Sequence, residues 1–467
     1  MVAAAMVWAR VGVMAAAAVS VAAAAAVPSP PSPDASLTVI ACDNGLTAVI
    51  DPRPGSRTVF AEIAVRAGSR DEPLELAGMS HLLEHLLFQE GHGAIARPNP
   101  AFSALRQAGA LVNASTDFEQ TEYHADLPAE RFAEGWDALV SMVTRAGFTT
   151  ADVDRERRVV LQEAALGKTD PVSIVAWSVL GRMFPGDPIA QPVIGFRRSL
   201  RRIRHADLMS YYRRFYTPAN MFAVIVGDVD PQAAAARVRS TLGALPAGGT
   251  AHAPYGKPAV DVRPLYRFRT LVKQSYLLAG ALTGGETSPD ALELSLLSTL
   301  LGEGRTSRLH ERLVRREALT DDILEMAFQV STVGALAAGV AVDPDRQTAA
   351  REALLDEMRR LAREPVPVDE LASARHRMEG ALAREMETNE GIAGFRARRL
   401  LLGQPLEREV YLARLASITP DDLLAVARRH WGDGAERPGG LIEIQVLPAR
   451  GFGKVLAALR FLFFRRL

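Results

Sequence analysis

The sequence predicts an α+β protein built from two homologous halves. Strand-like runs closed by turn signals and longer runs of helical period succeed one another along 467 residues, of which 48% are hydrophobic. The pattern then recurs. HLLEHLL (81–87) aligns with SLLSTLL (295–301) at an offset of 214. LRRIRHADLMSYYRRFY (200–216) aligns with LASITPDDLLAVARRHW (415–431) at 215. Two separate helices that give nearly one offset point to an internal duplication.

Each element has its own local reason. Residues 36–52 read as a hairpin, two β-rich runs around Asp43-Asn44-Gly45. A third strand follows, ending at Gly68, and then a leucine-rich helix, Ala77 to Gln89. Asn99 to Ala108 reads as a helix, and Ala110 to Pro128 alternates as paired strands. Ala129 to Arg145 is helical, with Phe132, Trp136, Leu139, Val140 and Val143 as its apolar side. Thr149 or Thr150 caps a helix that runs to about Leu166 and buries Val159, Val160 and Ala164. A helix and a strand fill 203–231, and the Gly/Pro/Ala-rich stretch 244–264 reads as a linker. Ser275 to Gly285 is a strand, followed by the helix with SLLSTLL.

The ends carry targeting signals. Arg10 precedes an alanine-rich apolar run with small residues at 24–26, so 1–27 reads as an export signal, cleaved or kept as an anchor. Residues 28–35 form a Pro-rich spacer. The tail, 451–467, is apolar and basic. It suits either contact with a membrane surface or a terminal helix packed on protein.

The chemistry concentrates at His81, Glu84 and His85. Residues four apart stack on one helix face, so two histidines in H-x-x-E-H order can grip one metal ion, with Glu84 near a water on that ion. Zinc peptidases combine such histidines with a carboxylate and leave a position for water. Glu156 and Glu163, two turns apart on a later helix, face the same side as its valines. A carboxylate facing inward needs a partner, and a metal ion would be one; the alternative is a solvated Glu on an amphipathic helix. In the second half every one of these residues changes together. His81, Glu84 and His85 become Ser295, Ser298 and Thr299, and Glu156 and Glu163 become Leu371 and Met378.

Composition excludes other classes. With 54 basic and 54 acidic residues there is no cationic excess for nucleic acid. A single cysteine, Cys42, rules out an internal disulfide and a cysteine-built zinc site.

DNGL (43–46), AGSRDEP (67–73), AGMSHLLEHLLF (77–88), VNAST with TEY (112–123) and ERRVVLQE (156–163) together resemble the insulinase/pitrilysin family of inverted zinc peptidases. The likeness runs from about 36 to 448. It implies two α+β domains, each a mainly antiparallel sheet flanked by helices, that form one half of a clamshell around a peptide. The expected bounds are 36–243 for the zinc-binding domain and 265–450 for the degenerate second domain. The resemblance implies one Zn2+ held by His81, His85 and Glu163, with Glu84 as general base. Glu156 stands beside the site, and Asn113 lies on the strand that substrate joins. Active relatives carry an Arg and, seven residues on, a Tyr in their second domain; here those positions are Val314 and Asp321. The expectation is therefore a heterodimer whose homologous subunit supplies the pair. The rival expectation is a non-catalytic assembly or peptide-binding protein on the same fold.

Overall fold

The computed structural model describes residues 37–88, 99–167, 171–249, 252–432 and 440–451. The expected export signal, the spacer and all of the tail beyond Gly451 lie outside these residues.

Strands β1 (Thr38–Ala41), β2 (Thr47–Pro52), β3 (Thr58–Val65), β4 (Leu111–Thr116), β5 (Thr121–Pro128) and β6 (Met221–Gly227) form one sheet, in the order β1-β2-β6-β3-β5-β4. Its helices are α1 (Met79–Phe88), α2 (Pro100–Gln107), α3 (Phe132–Thr144), α4 (Thr150–Gly167), α5 (Pro171–Met183), α6 (His205–Phe215) and α7 (Pro231–Ser240). The second sheet holds β7 (Leu265–Thr270), β8 (Ser275–Thr283), β9 (Ile323–Gln329), β10 (Gly334–Val342) and β11 (Ile442–Pro448), in the order β7-β11-β8-β10-β9. With it go α8 (Ala291–Leu301), α9 (Gln347–Arg363), α10 (Val368–Glu385), α11 (Asn389–Leu402), α12 (Arg408–Ser417) and α13 (Pro420–Trp431).

The duplication is plain in the topology. Dropping the edge strand β1, each position in the first sheet has its counterpart in the second. β2 pairs parallel to β6 as β7 does to β11, and every other pairing is antiparallel. Most helices recur near the offset of 214–215, α1 as α8 and α6 as α13 among them. The leucines shared by the two halves do the same work in both. Leu82, Leu83, Leu296 and Leu297 have no exposed surface, and a side chain buried so fully contributes about 1.5–3 kcal/mol.

Each sheet is covered twice, and the second cover is exchanged. One face of the first sheet packs on α1, α2, α3 and α6 through Leu83, Phe102, Trp136 and Leu208. Its other face, with Phe60, Phe222, Val224 and Val226, is covered by Ile392, Ala393 and Phe395 of α11, from the second repeat. Conversely, Leu278, Phe328, Ile442 and Ile444 of the second sheet are covered by Val179, Leu180 and Met183 of α5, from the first repeat, and by Phe184. A fully buried ion pair, Arg396 of α11 to Asp51 of β2 at 2.9 Å, pins the first of these covers.

The stretch between the sheets is held in place. His252 and Tyr255 both bond Asp71, at 2.5 and 2.6 Å, and Arg70 donates to the Gly256 carbonyl at 2.8 Å. Arg70 also pairs with buried Glu119, which accepts from Ser331 of the second repeat. Among its described residues from 252 to 264 the stretch has neither helix nor strand, as its Gly- and Pro-rich composition implies, but these polar contacts hold 252–256 in place.

Candidate metal centre

Helix α1 is set from its start. The carboxyl of Glu72 accepts from the amides of Gly78 and Ser80, at 2.7 and 2.6 Å, and from the Ser80 hydroxyl. Burial raises this carboxyl to about 8, against the Ser80 and Gly78 hydrogen bonds that hold it down. An acceptor at a helix N-terminus satisfies amides that have no partner within the helix. At the other end, Asn99 donates to the Leu87 carbonyl at 2.8 Å while its side chain caps α2.

On α1, His81 and His85 lie one turn apart with ring centroids 4.8 Å from each other. Helix α4 packs alongside and brings Glu156 and Glu163. Glu163 Oε2 lies 3.5 Å from His85 Nε2, and Glu156 Oε2 lies 3.9 Å from His85 Nδ1 on the far side of the ring. Glu156 is also bonded to Arg155 Nε at 3.1 Å. Donor atoms of His81, His85 and Glu163 all fall within 4.8 Å of one another, so the three could hold one metal ion. The valine side of α4 is as expected at Val160 and Ala164, which are buried, but Val159 is only half-buried.

The electrostatics suit a cation. Burial, then the neighbouring His85, presses His81 down to about 4, so its ring is neutral at neutral pH. Among the described residues its buried Nδ1 has no hydrogen-bond partner, a condition that costs free energy unless something satisfies it. Burial also presses His85 down, but Glu156 and Glu163 reverse this and carry it up to about 10. Burial opposes the charge on Glu156 and Glu163 too, but His85, joined by Arg155 at Glu156 and by His81 at Glu163, outweighs it and leaves both below their ordinary range. Two carboxylates thus stay ionised around a site that gathers positive charge. Two imidazoles and a carboxylate, one imidazole flanked by a further carboxylate, form a donor set that fits zinc.

Glu84 points from the same helix and is 9% exposed. Burial raises its carboxyl to about 7, opposed by His85 and by a hydrogen bond from Thr116. A carboxyl poised there can take and return a proton near neutral pH. The Thr116 hydroxyl donates to Glu84 Oε2 at 2.6 Å. Glu72 and Thr116 lie inside the AGSRDEP and VNAST stretches without a periodic mark of their own; Glu72 acts on the helix start just ahead of it, whereas Thr116 reaches Glu84 from a strand 32 positions away.

Asn113 is not brought to the trio. Side chains alternate along a strand. Val112 and Ala114 of β4 pack on the helix-side core, and Thr116 shares their face. Asn113 is exposed on the opposite face of this edge strand, in register with His124. In the second repeat, Arg315 and Arg316, the residues nearest the expected Arg position, are exposed and paired with Glu311 of their own helical segment. Among the described residues no helix is long and apolar enough to cross a membrane.

Known proteins share this architecture. The family model described as insulinase, peptidase family M16, matches residues 47–196, and that of the peptidase M16 inactive domain matches 202–378. An uncharacterized zinc protease of Mycobacterium bovis is 29% identical over 431 residues, which are 88% of this chain and 96% of that protein. A protein of Arabidopsis thaliana named probable mitochondrial-processing peptidase subunit beta is 25% identical over 436 residues, 89% of this chain and 80% of that one. Among solved structures, the periplasmic protease PqqL from Escherichia coli aligns with a TM-score of 0.73 at 19% identity, over 94% of this chain and 50% of that one. With both halves matched by models of one family and homologues named as zinc proteases, this chain belongs to the insulinase family of peptidases, peptidase family M16.

Proposed function

We propose that this chain is the zinc-bearing subunit of an exported metalloendopeptidase that hydrolyses small or unfolded peptides. The observation that carries the reading is the convergence of His81, His85 and Glu163 within 4.8 Å, beside a carboxyl, Glu84, poised at about 7. Zinc, when bound, lowers the pKa of a water to about 7 and polarises a carbonyl. Neutral His81 offers a lone pair, and Glu156 steadies the ring of His85 from its far nitrogen. Glu84 takes the proton from the attacking water and returns it to the leaving amine. An extended peptide adds as a strand to the open edge of β4, near Asn113.

The partner is a homologous subunit, in a heterodimer, that supplies the Arg/Tyr pair missing at Val314 and Asp321. The Arabidopsis relative is named as a subunit, and the PqqL chain is about twice the length that this chain matches; both support a half that works beside another. Developing charge on a peptide carbonyl needs donors from more than one side. Export rests on the residues at 1–27 and on a neighbour named as periplasmic.

The test is elemental analysis with a quenched-peptide assay, on the chain alone and paired with a co-expressed homologue. Zinc at one per chain, weak cleavage alone and strong cleavage with the homologue are expected. Glu84→Gln should keep the zinc and lose cleavage by about 10²–10⁴-fold; cleavage at the parent rate would remove Glu84 as base. A second reading, a non-catalytic peptide-binding or assembly protein, is favoured by the lost Arg/Tyr positions. Zinc binding without cleavage in any pairing would decide for it.

A further inference from the structure

We propose that Thr116 is the positioning residue for Glu84, tying the edge strand offered to a peptide directly to the carboxyl that acts on it. The inference rests on the reading of Glu84 as general base. Among the described residues, the Thr116 hydroxyl makes the one hydrogen bond found on the Glu84 carboxylate, at 2.6 Å to Oε2. A glutamate has three side-chain torsions, and a base must be held within a fraction of an ångström of its working place. Threonine suits the task because its branched Cβ restricts χ1 and so fixes the direction of the hydroxyl.

Both ends of this bond are set by one short stretch, Gly68 to Glu72. Thr116 closes β4, in register with Thr121. The turn after it is held by Ser69 N donating to Asp117 O at 3.0 Å and by Arg70 N donating to Phe118 O at 2.8 Å. That approach needs a glycine, since a Cβ at Gly68 would lie 2.2 Å from Asp117 O. Four residues beyond Gly68, Glu72 holds the start of α1 through Gly78 and Ser80. The strand end and the helix start are thus gauged from the same backbone, and the hydroxyl bridges the gap between them. Because β4 is an edge strand, a peptide added to it would bear on the same strand that holds the base.

The experiment compares Thr116→Val, which keeps the volume and removes the donor, with Thr116→Ser, which restores a hydroxyl, in the full zinc-loaded chain and its homologous partner. The Val variant should lose about 10–100-fold in kcat with KM and zinc content unchanged, and the Ser variant should recover most of it. A crystal structure of the Val variant should show the Glu84 carboxylate turned from its place. An unchanged kcat, a loss carried by KM or by zinc content, or a carboxylate that has not moved would overturn the proposal. If the parent itself cleaves nothing, the peptidase reading fails, and the parent and Val crystal structures still decide whether Thr116 sets Glu84.

Discussion

Helices α1 and α8 occupy the same place in two copies of one fold, and only α1 carries the H-x-x-E-H set. Their leucines are equally buried. Where α1 has His81, Glu84 and His85, α8 has Ser295, Ser298 and Thr299, and the helix behind has Leu371 and Met378 for Glu156 and Glu163. The replacements are small or apolar and find local partners: Ser295 donates to the Ala291 carbonyl and Thr299 to Glu303, while Leu371 is buried in the core. The difference teaches that the packing of this helix and its polar set are separable. The leucines are buried in both repeats, and the histidines and glutamates stand only where three donor atoms converge.

The sharpest way to break that comparison is to write the second helix into the first. His81→Ser with His85→Thr should abolish zinc binding entirely, by elemental analysis, while the circular dichroism spectrum stays that of the parent. Unfolding of the double variant would show that the polar set is part of the packing after all.

The two exchanged covers offer a second contrast, since among the described residues only the α11 cover has a fully buried ion pair. Asp51→Ala removes the carboxylate from beside buried Arg396 and should cost about 3–5 kcal/mol in denaturant unfolding. A loss below about 1 kcal/mol would mean that the apolar contacts of α11 suffice. The shared leucines give the next effect. Leu82→Ala and Leu296→Ala should each cost about 2–5 kcal/mol, and a clear inequality would mean that one repeat collapses around the cavity better than the other.

The smallest effect concerns the segment between the sheets. The hydrogen bond to Asp71 raises His252 above its ordinary value, against burial. A raised folded value means that the folded state binds the proton more tightly than the unfolded chain. The contribution is therefore complete below about pH 6.5 and fades as pH rises through the raised value. His252→Gln should flatten this part of the stability–pH curve, and an unchanged slope would exclude His252 as its source.

Much of this was legible in the sequence because it depends on spacing along one helix. H-x-x-E-H, the seven-residue step from Glu156 to Glu163 and the recurring leucines are periodic signals, and α1, α4 and α8 lie where those signals put them. The contacts that depend on which distant segments meet were not legible. Thr116 reaches Glu84 across 32 positions and Arg396 reaches Asp51 across 345. Neither side chain carries a periodic mark. Asn113 shows the converse, a residue in the right strand whose alternation turns it from the metal side.

The exchange of α5 and α11 has a consequence for how such a chain came to be. Cut after its first repeat, it would leave Phe60, Phe222, Val224 and Val226 without their cover and α5 without a sheet to lie on. A second copy of the same repeat could supply both. Reciprocal loan of one helix between two like units is the topology of a swapped dimer whose protomers have been joined end to end. Two identical protomers must carry two identical metal sites. Once fused, each is free to drift, and one repeat can keep the H-x-x-E-H set while the other keeps only the leucines.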